Sequence, residues 1–157
     1  MPYPCCCGVT CDGDFVCGTA LTLEISGAVD GSCGDCETQY NDTLLTTTGG
    51  AGGTGTYCGI TSDENCCEWN FSQDSNPCFP DDTDSTVTFF IAGGQRYVAV
   101  LLEDDDLGAF GETFAGWLKA VSNFNLPITL TSADYGTPCE SSETKCDLSG
   151  ATIVISQ

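Results

Sequence analysis

The sequence predicts an all-β fold, a β-sandwich or jelly-roll-like domain of about eight or nine short strands stapled by disulfides. Three observations carry this expectation. Apolar and polar residues alternate with a period of two in several short stretches. Turn signals rich in Gly, Pro, Asn and Asp separate those stretches. Cysteine makes up 13 of 157 residues, the density of a disulfide scaffold.

The elements follow in chain order. Residues 1–19 read as a cysteine-rich N-terminal arm interrupted by Gly8, Gly13 and Gly18, and residues 20–157 as a single β-sandwich domain. Leu21, Leu23 and Ile25 alternate with Thr22, Glu24 and Ser26, which predicts a strand with one buried face. A turn-rich link over 27–35 leads to a second strand over 40–48. The Gly-rich run 49–55 predicts a flexible loop. Cys67, Trp69 and Phe71 alternate with Glu68, Asn70 and Ser72, the pattern of another strand, with both Trp69 and Trp117 expected in the core. Residues 73–84 read as loop. Strands over 86–92 and 95–102 flank Gly93-Gly94, a strong hairpin signal, and Glu103–Asp106 cap the second of them with charge. Phe114, Trp117, Leu118 and Val121 have helical spacing, so 110–124 is the one helix candidate. Strands are expected again over 127–131 and 151–156. No fixed-period repeat and no βαβ alternation is present.

A net charge of -20, with 23 acidic residues against Arg96, Lys119 and Lys145, bounds the partners. Phosphate recognition needs clustered Lys and Arg, so nucleic acid and anionic membrane surfaces are excluded as partners. No stretch has the apolar length of a membrane-spanning helix. Cations, basic protein surfaces and neutral glycans remain. Self-repulsion of this size must be offset by disulfides, bound cations, salt or a subunit interface.

The cysteines are Cys5, Cys6, Cys7, Cys11, Cys17, Cys33, Cys36, Cys58, Cys66, Cys67, Cys78, Cys139 and Cys146. Structural disulfides are the favoured reading, and they point to an oxidising place such as the outside of a cell or a released virus particle. The odd count leaves one cysteine unpaired or bonded to another chain, and the Cys5-Cys6-Cys7 triplet is the favoured place for an inter-chain bond. Cys66 and Cys67, adjacent on an extended chain, are expected to reach different partners. Cys33-x-x-Cys36 is half of a zinc site, but no second pair at matching spacing accompanies it. The opening Met1-Pro2-Tyr3-Pro4 has neither the basic nor the apolar region of a signal peptide. Prior removal of a signal, release by lysis as for virion proteins, or cysteines that bind metal in the cytosol would each reconcile that with the cysteines.

The chain has no histidine, which removes Ser-His-Asp and Cys-His catalysis, and no other catalytic signature stands out. A carboxylate pair for glycoside hydrolysis cannot be singled out from so many acids. Two acidic runs, Asp81, Asp82 and Asp84 and then Glu103, Asp104, Asp105 and Asp106, form the candidate metal site, for calcium. Calcium takes about six to eight oxygen ligands, and the hairpin between the runs returns the chain toward itself. The alternative is solvated strand ends that discourage edge pairing. Beyond this candidate calcium, no cofactor is expected. Asn41-Asp42-Thr43 and Asn70-Phe71-Ser72 fit the N-glycosylation pattern.

Cys5-Cys6-Cys7-Gly8, Cys33-x-x-Cys36, Tyr40-Asn41-Asp42-Thr43, Cys67-Glu68-Trp69 and the closing 146–155 segment occur in that order. Together they resemble uncharacterised cysteine-rich β proteins of tailed bacteriophages and environmental bacteria. The chain departs from that pattern in its Gly-rich run and its acidic runs. The resemblance carries no activity, and it implies a place among virion structural proteins. The expectation is therefore a non-enzymatic virion protein, a capsid decoration or tail-associated subunit. Its expected partners are copies of itself, as a homo-oligomer, and other virion proteins. The alternatives are a secreted or surface β module that binds glycan or protein or forms an extracellular filament, and a cytosolic zinc-stabilised domain.

Overall fold

The computed structural model describes residues 21–27, 43–46, 51–53, 55–63, 66–70, 86–104, 113–136, 139 and 149–156. The fold is all-β, as the alternation predicts. Among the described residues, eleven strands lie in antiparallel pairs: β1 (Thr22–Ser26), β2 (Thr43–Thr46), β3 (Ala51–Gly53), β4 (Thr56–Tyr57), β5 (Ile60–Thr61), β6 (Cys66–Asn70), β7 (Thr86–Ala92), β8 (Gln95–Asp104), β9 (Thr113–Val121), β10 (Ile128–Leu130) and β11 (Thr152–Ser156). They form a four-stranded sheet in the order β10-β11-β1-β2, a five-stranded sheet in the order β3-β6-β7-β8-β9, and the small β4-β5 hairpin.

Alternation builds the core. Leu23 and Ile25 of β1 and Ile153 and Ile155 of β11 pair across one ladder and turn the same face inward. Ile128 and Leu130 of β10 extend that face. Opposite it lie Trp69, Val87, Phe89, Val98, Val100 and Trp117 of the larger sheet, in the same cluster. Edge-on ring contacts of Phe89 with Trp69 and with Phe124, at centroid distances of 5.3 and 5.5 Å, bind the centre of this layer. Two sheets closing over one apolar layer are the arrangement of a sandwich.

The larger sheet is also covered on its outer face. Phe90, Ala92 and Ala99 point away from the main core and are buried beneath Tyr57 of the β4-β5 hairpin. Strand β7 is therefore buried at every position except Ile91, which is half-buried. The β7-β8 turn has Gly93 at φ 57° and Gly94 at φ 76°, the paired left-handed geometry of a type I′ turn and the reason glycine occupies both positions.

Three sequence expectations are corrected. The helix expected over 110–124 is strand β9, paired with β8 from Thr113↔Asp104 to Val121↔Arg96. Its apolar residues serve two faces, Trp117 in the core and Leu118 on the outer side, and that division mimics helical spacing. Within the Gly-rich run, Ala51–Gly53 is not loop but a strand, because β6 supplies a ladder for it. Glu103 and Asp104 do not cap β8 but belong to it, paired with Phe114 and Thr113. Residues 56–61 form a further hairpin, which the sequence did not reveal. A 3₁₀ segment spans Ser132–Asp134, where Thr131 and Asp134 form a capping box. No helix among the described residues is long and apolar enough to cross a membrane.

Candidate functional site

Among the described residues, two places combine polar or reactive groups with a built geometry. The first is the disulfide Cys58–Cys139, which joins residues 81 positions apart. Cys58 and Gly59 are the central residues of the β4-β5 turn, at φ 51° and 78°, so this too is a type I′ turn. The bridge anchors the tip of that hairpin to buried Cys139. Further contacts seat the hairpin: the Tyr57 hydroxyl donates to Glu68 Oε2 at 3.3 Å, and its ring packs 5.0 Å from that of Phe90. Beyond β5, the Asp63 N–H donates to the Ile91 carbonyl, and Asp63 Oδ2 accepts from the Gly93 N–H.

The second place is a polar groove of about 350 Å³ where the edges of the two sheets meet. Strand β9 forms one wall and β10 the other, with the connection through Ser122, Asn123, Asn125 and Pro127 between them. Lys119 Nζ crosses from β9 to donate to the Thr129 carbonyl of β10 at 2.6 Å, linking the two sheets. The alternation that turns Trp117 inward turns Lys119 the same way, toward the rim of the core. A charge pointing inward on an edge strand discourages another chain from adding to that edge. Farther along β9, the Gly136 N–H donates to the Gly116 carbonyl at 2.9 Å, and Trp117 bridges to Tyr135, which covers that part of the edge. Asn123 Oδ1 accepts from the Asn125 N–H at 3.0 Å, holding the turn. On the neighbouring strand, Arg96 lies 5.8 Å from the Phe124 ring centroid, and Gln95 Nε2 donates to the carbonyls of Arg96 and Val121.

The groove lining offers an ammonium, carboxamides and hydroxyls, and it contains no carboxylate, thiol or imidazole. It suits an acceptor-rich group and lacks an acid–base pair for hydrolysis.

The sequence-predicted residues fall as follows. Of the candidate calcium ligands, Glu103 and Asp104 lie at the end of β8, and Asp81, Asp82, Asp84, Asp105 and Asp106 lie outside the described residues. Among the described residues, no three His, Cys, Asp or Glu side chains gather as a metal site. Of the cysteines, Cys58 and Cys139 are paired, Cys66 and Cys67 lie in β6, and Cys5, Cys6, Cys7, Cys11, Cys17, Cys33, Cys36, Cys78 and Cys146 lie outside the described residues. Asn70 is exposed at the end of β6, and Asn41 lies outside the described residues. Trp69 and Trp117 are fully buried, as expected. The groove was missed, because the helical reading of 110–124 hid the inward position of Lys119. Read as a strand, Lys119 two residues after Trp117 would have stood out. No protein-family model, no curated protein and no solved structure matches the chain.

Proposed function

We propose that this chain is a non-enzymatic structural subunit of a virion, a capsid decoration or tail-associated protein held rigid by disulfides. The observation that carries the reading is the Cys58–Cys139 bridge, which locks a hairpin over the outer face of the larger sheet. A bridge spanning 81 positions constrains the unfolded chain strongly, contributing about 4 kcal/mol. Such a bond persists in the oxidising surroundings of a released particle. A sheet buried on both faces suits a building block that must survive outside a host. The resemblance to cysteine-rich β proteins of tailed phages supports the same place.

Mass spectrometry of purified particles from the natural source tests the reading. The chain is expected among their proteins, in stoichiometric amount with a coat or tail component. Particles that lack it would overturn the proposal. Recovery of the chain from particle-free culture fluid would instead support the secreted β module.

A further inference from the structure

The β4-β5 hairpin is tied to the rest of the fold in two different ways. Its base is held by hydrogen bonds. The Ser62 N–H donates to the Gly55 carbonyl at 3.1 Å, and the Gly55 N–H donates to Ser62 Oγ at 3.4 Å. One residue on, the Asp63 N–H donates to the Ile91 carbonyl at 2.8 Å, and Asp63 Oδ2 accepts from the Gly93 N–H. Its tip is held covalently, by the bond from Cys58 to Cys139. Between base and tip lie two cross-strand pairs, Thr56↔Thr61 and Tyr57↔Ile60, too few to make a hairpin stable by itself. Beneath it lie Phe90, Ala92 and Ala99, none more than 8% exposed.

The bridge is unequal at its two ends. Cys139 is 2% exposed and lies against Gly116 of β9. Cys58 is half-buried in the turn, and it is the one non-glycine residue at positive φ among the described residues. A residue with a Cβ is held in the left-handed region by its surroundings and not by its own preference, and such residues gather at switch segments. An accessible disulfide is also the more easily reduced kind.

We propose that the Cys58–Cys139 bond is a redox latch and the β4-β5 hairpin the lid it closes, hinged at Gly55, Ser62 and Asp63. A thiolate of a small thiol reductant of the glutathione class attacks Cys58 Sγ and forms a mixed disulfide there. The Cys58–Cys139 bond breaks, and Cys139 leaves as a thiolate and takes a proton. A second reductant thiolate attacks the reductant sulfur of the mixed disulfide, and Cys58 leaves and is protonated likewise. The protein gains two electrons and the two protons that the reductant thiols give up, and those thiols become one disulfide. The freed tip lifts from Phe90, Ala92 and Ala99, and uncovers the Tyr97 ring stacked on Phe90. Reoxidation closes the lid again. The outer face of the larger sheet is thus open and apolar under reducing conditions and covered under oxidising ones. The latch does not depend on the virion reading: particles that lack the chain would overturn that reading and leave the latch intact.

The test equilibrates the full-length oxidised chain in buffers of stepped reduced-to-oxidised glutathione ratio. Differential alkylation reads the state of Cys58 and Cys139, and hydrogen exchange reads the lid. Exchange over 55–63 should rise about 10-fold or more in step with reduction of this bridge, as a local opening does, while exchange over 86–104 stays slow. Both should return on reoxidation. Cys58→Asn with Cys139→Ala leaves the other cysteines in place and should hold the lid open in oxidising buffer. Its exchange over 55–63 should be fast and indifferent to the glutathione ratio. A bridge that stays closed at every ratio overturns the proposal, as does exchange over 55–63 that stays slow once the bridge is reduced. Exchange that rises together over 55–63 and 86–104 also overturns it, because the bond is then a staple of the whole sandwich. If the double variant does not fold, the wild-type titration decides alone.

Discussion

Gly116 of β9 lies directly against Cys139, so that a Cβ added at Gly116 would overlap the Cys139 Cβ and come within 3.0 Å of its Sγ and 3.1 Å of Leu101 Cδ2. The bridge can sit on the outer face of the sheet only because this position has no side chain. Leu101 is the residue paired with Gly116 across the β8-β9 ladder, so the crowding comes from two directions. Gly116→Ala should therefore destabilise the oxidised protein by about 1–3 kcal/mol, the usual cost of overpacking. Urea unfolding measures this, and thiol titration should show incomplete Cys58–Cys139 pairing. A variant as stable and as fully oxidised as wild type would mean that the bridge segment shifts away at no cost.

Removing the bridge itself separates its contribution from that of the turn. Replacing Cys58 with alanine would leave a Cβ in the left-handed region without the bridge that holds it there. Cys58→Asn avoids this, because the turn then reads Asn-Gly, a favoured pair for type I′ geometry. Combined with Cys139→Ala, it should cost about 4 kcal/mol and release the hairpin from Phe90. The urea midpoint reports the first effect and hydrogen exchange at Tyr57 the second. Unchanged protection at Tyr57 would show that aromatic packing alone seats the hairpin.

Thr88 provides a gain rather than a loss. Its Oγ1 is buried with no hydrogen-bond partner among the described residues, and the residue is 1% exposed. A buried hydroxyl without a partner forfeits its bond to water. Valine has nearly the same shape and favours strands. Thr88→Val should raise stability by about 1 kcal/mol, read as a higher midpoint with an unchanged denaturant slope. A lower midpoint would show that the hydroxyl has a partner in the folded protein.

The strands that were legible in the sequence are those with one face in the core. Leu21, Leu23 and Ile25 announce β1 because Thr22, Glu24 and Ser26 face away from it. Gly93-Gly94 announced its hairpin because two glycines occupy two left-handed positions without a Cβ penalty. Strand β9 was illegible because it is apolar on both sides, Trp117 inward and Leu118 outward, and a two-sided strand loses its period. The β4 and β5 strands are two residues each, too short for any periodicity. Ala51–Gly53 owes its strand to pairing with β6, and composition alone does not register a partner. The groove had no motif to find, since Lys119 and Thr129 meet only when two sheet edges come together.

Trp117 poses the most discriminating question about the core. It is fully buried, its ring lies 5.1 Å from that of Tyr135, and its Nε1 has no acceptor among the described residues. Buried tryptophan normally finds a partner for its N–H, because leaving that donor dry costs about 1–3 kcal/mol. Trp117→Phe removes the unsatisfied donor but also leaves a cavity where the larger ring was. The two effects oppose each other at similar size, so the net change should lie within about 1 kcal/mol of zero. Trp117→Ala has no such compensation and should cost about 3–5 kcal/mol. Equilibrium unfolding of both variants makes the comparison. If Trp117→Phe loses nearly as much as Trp117→Ala, the indole N–H is making a bond that stabilises the fold.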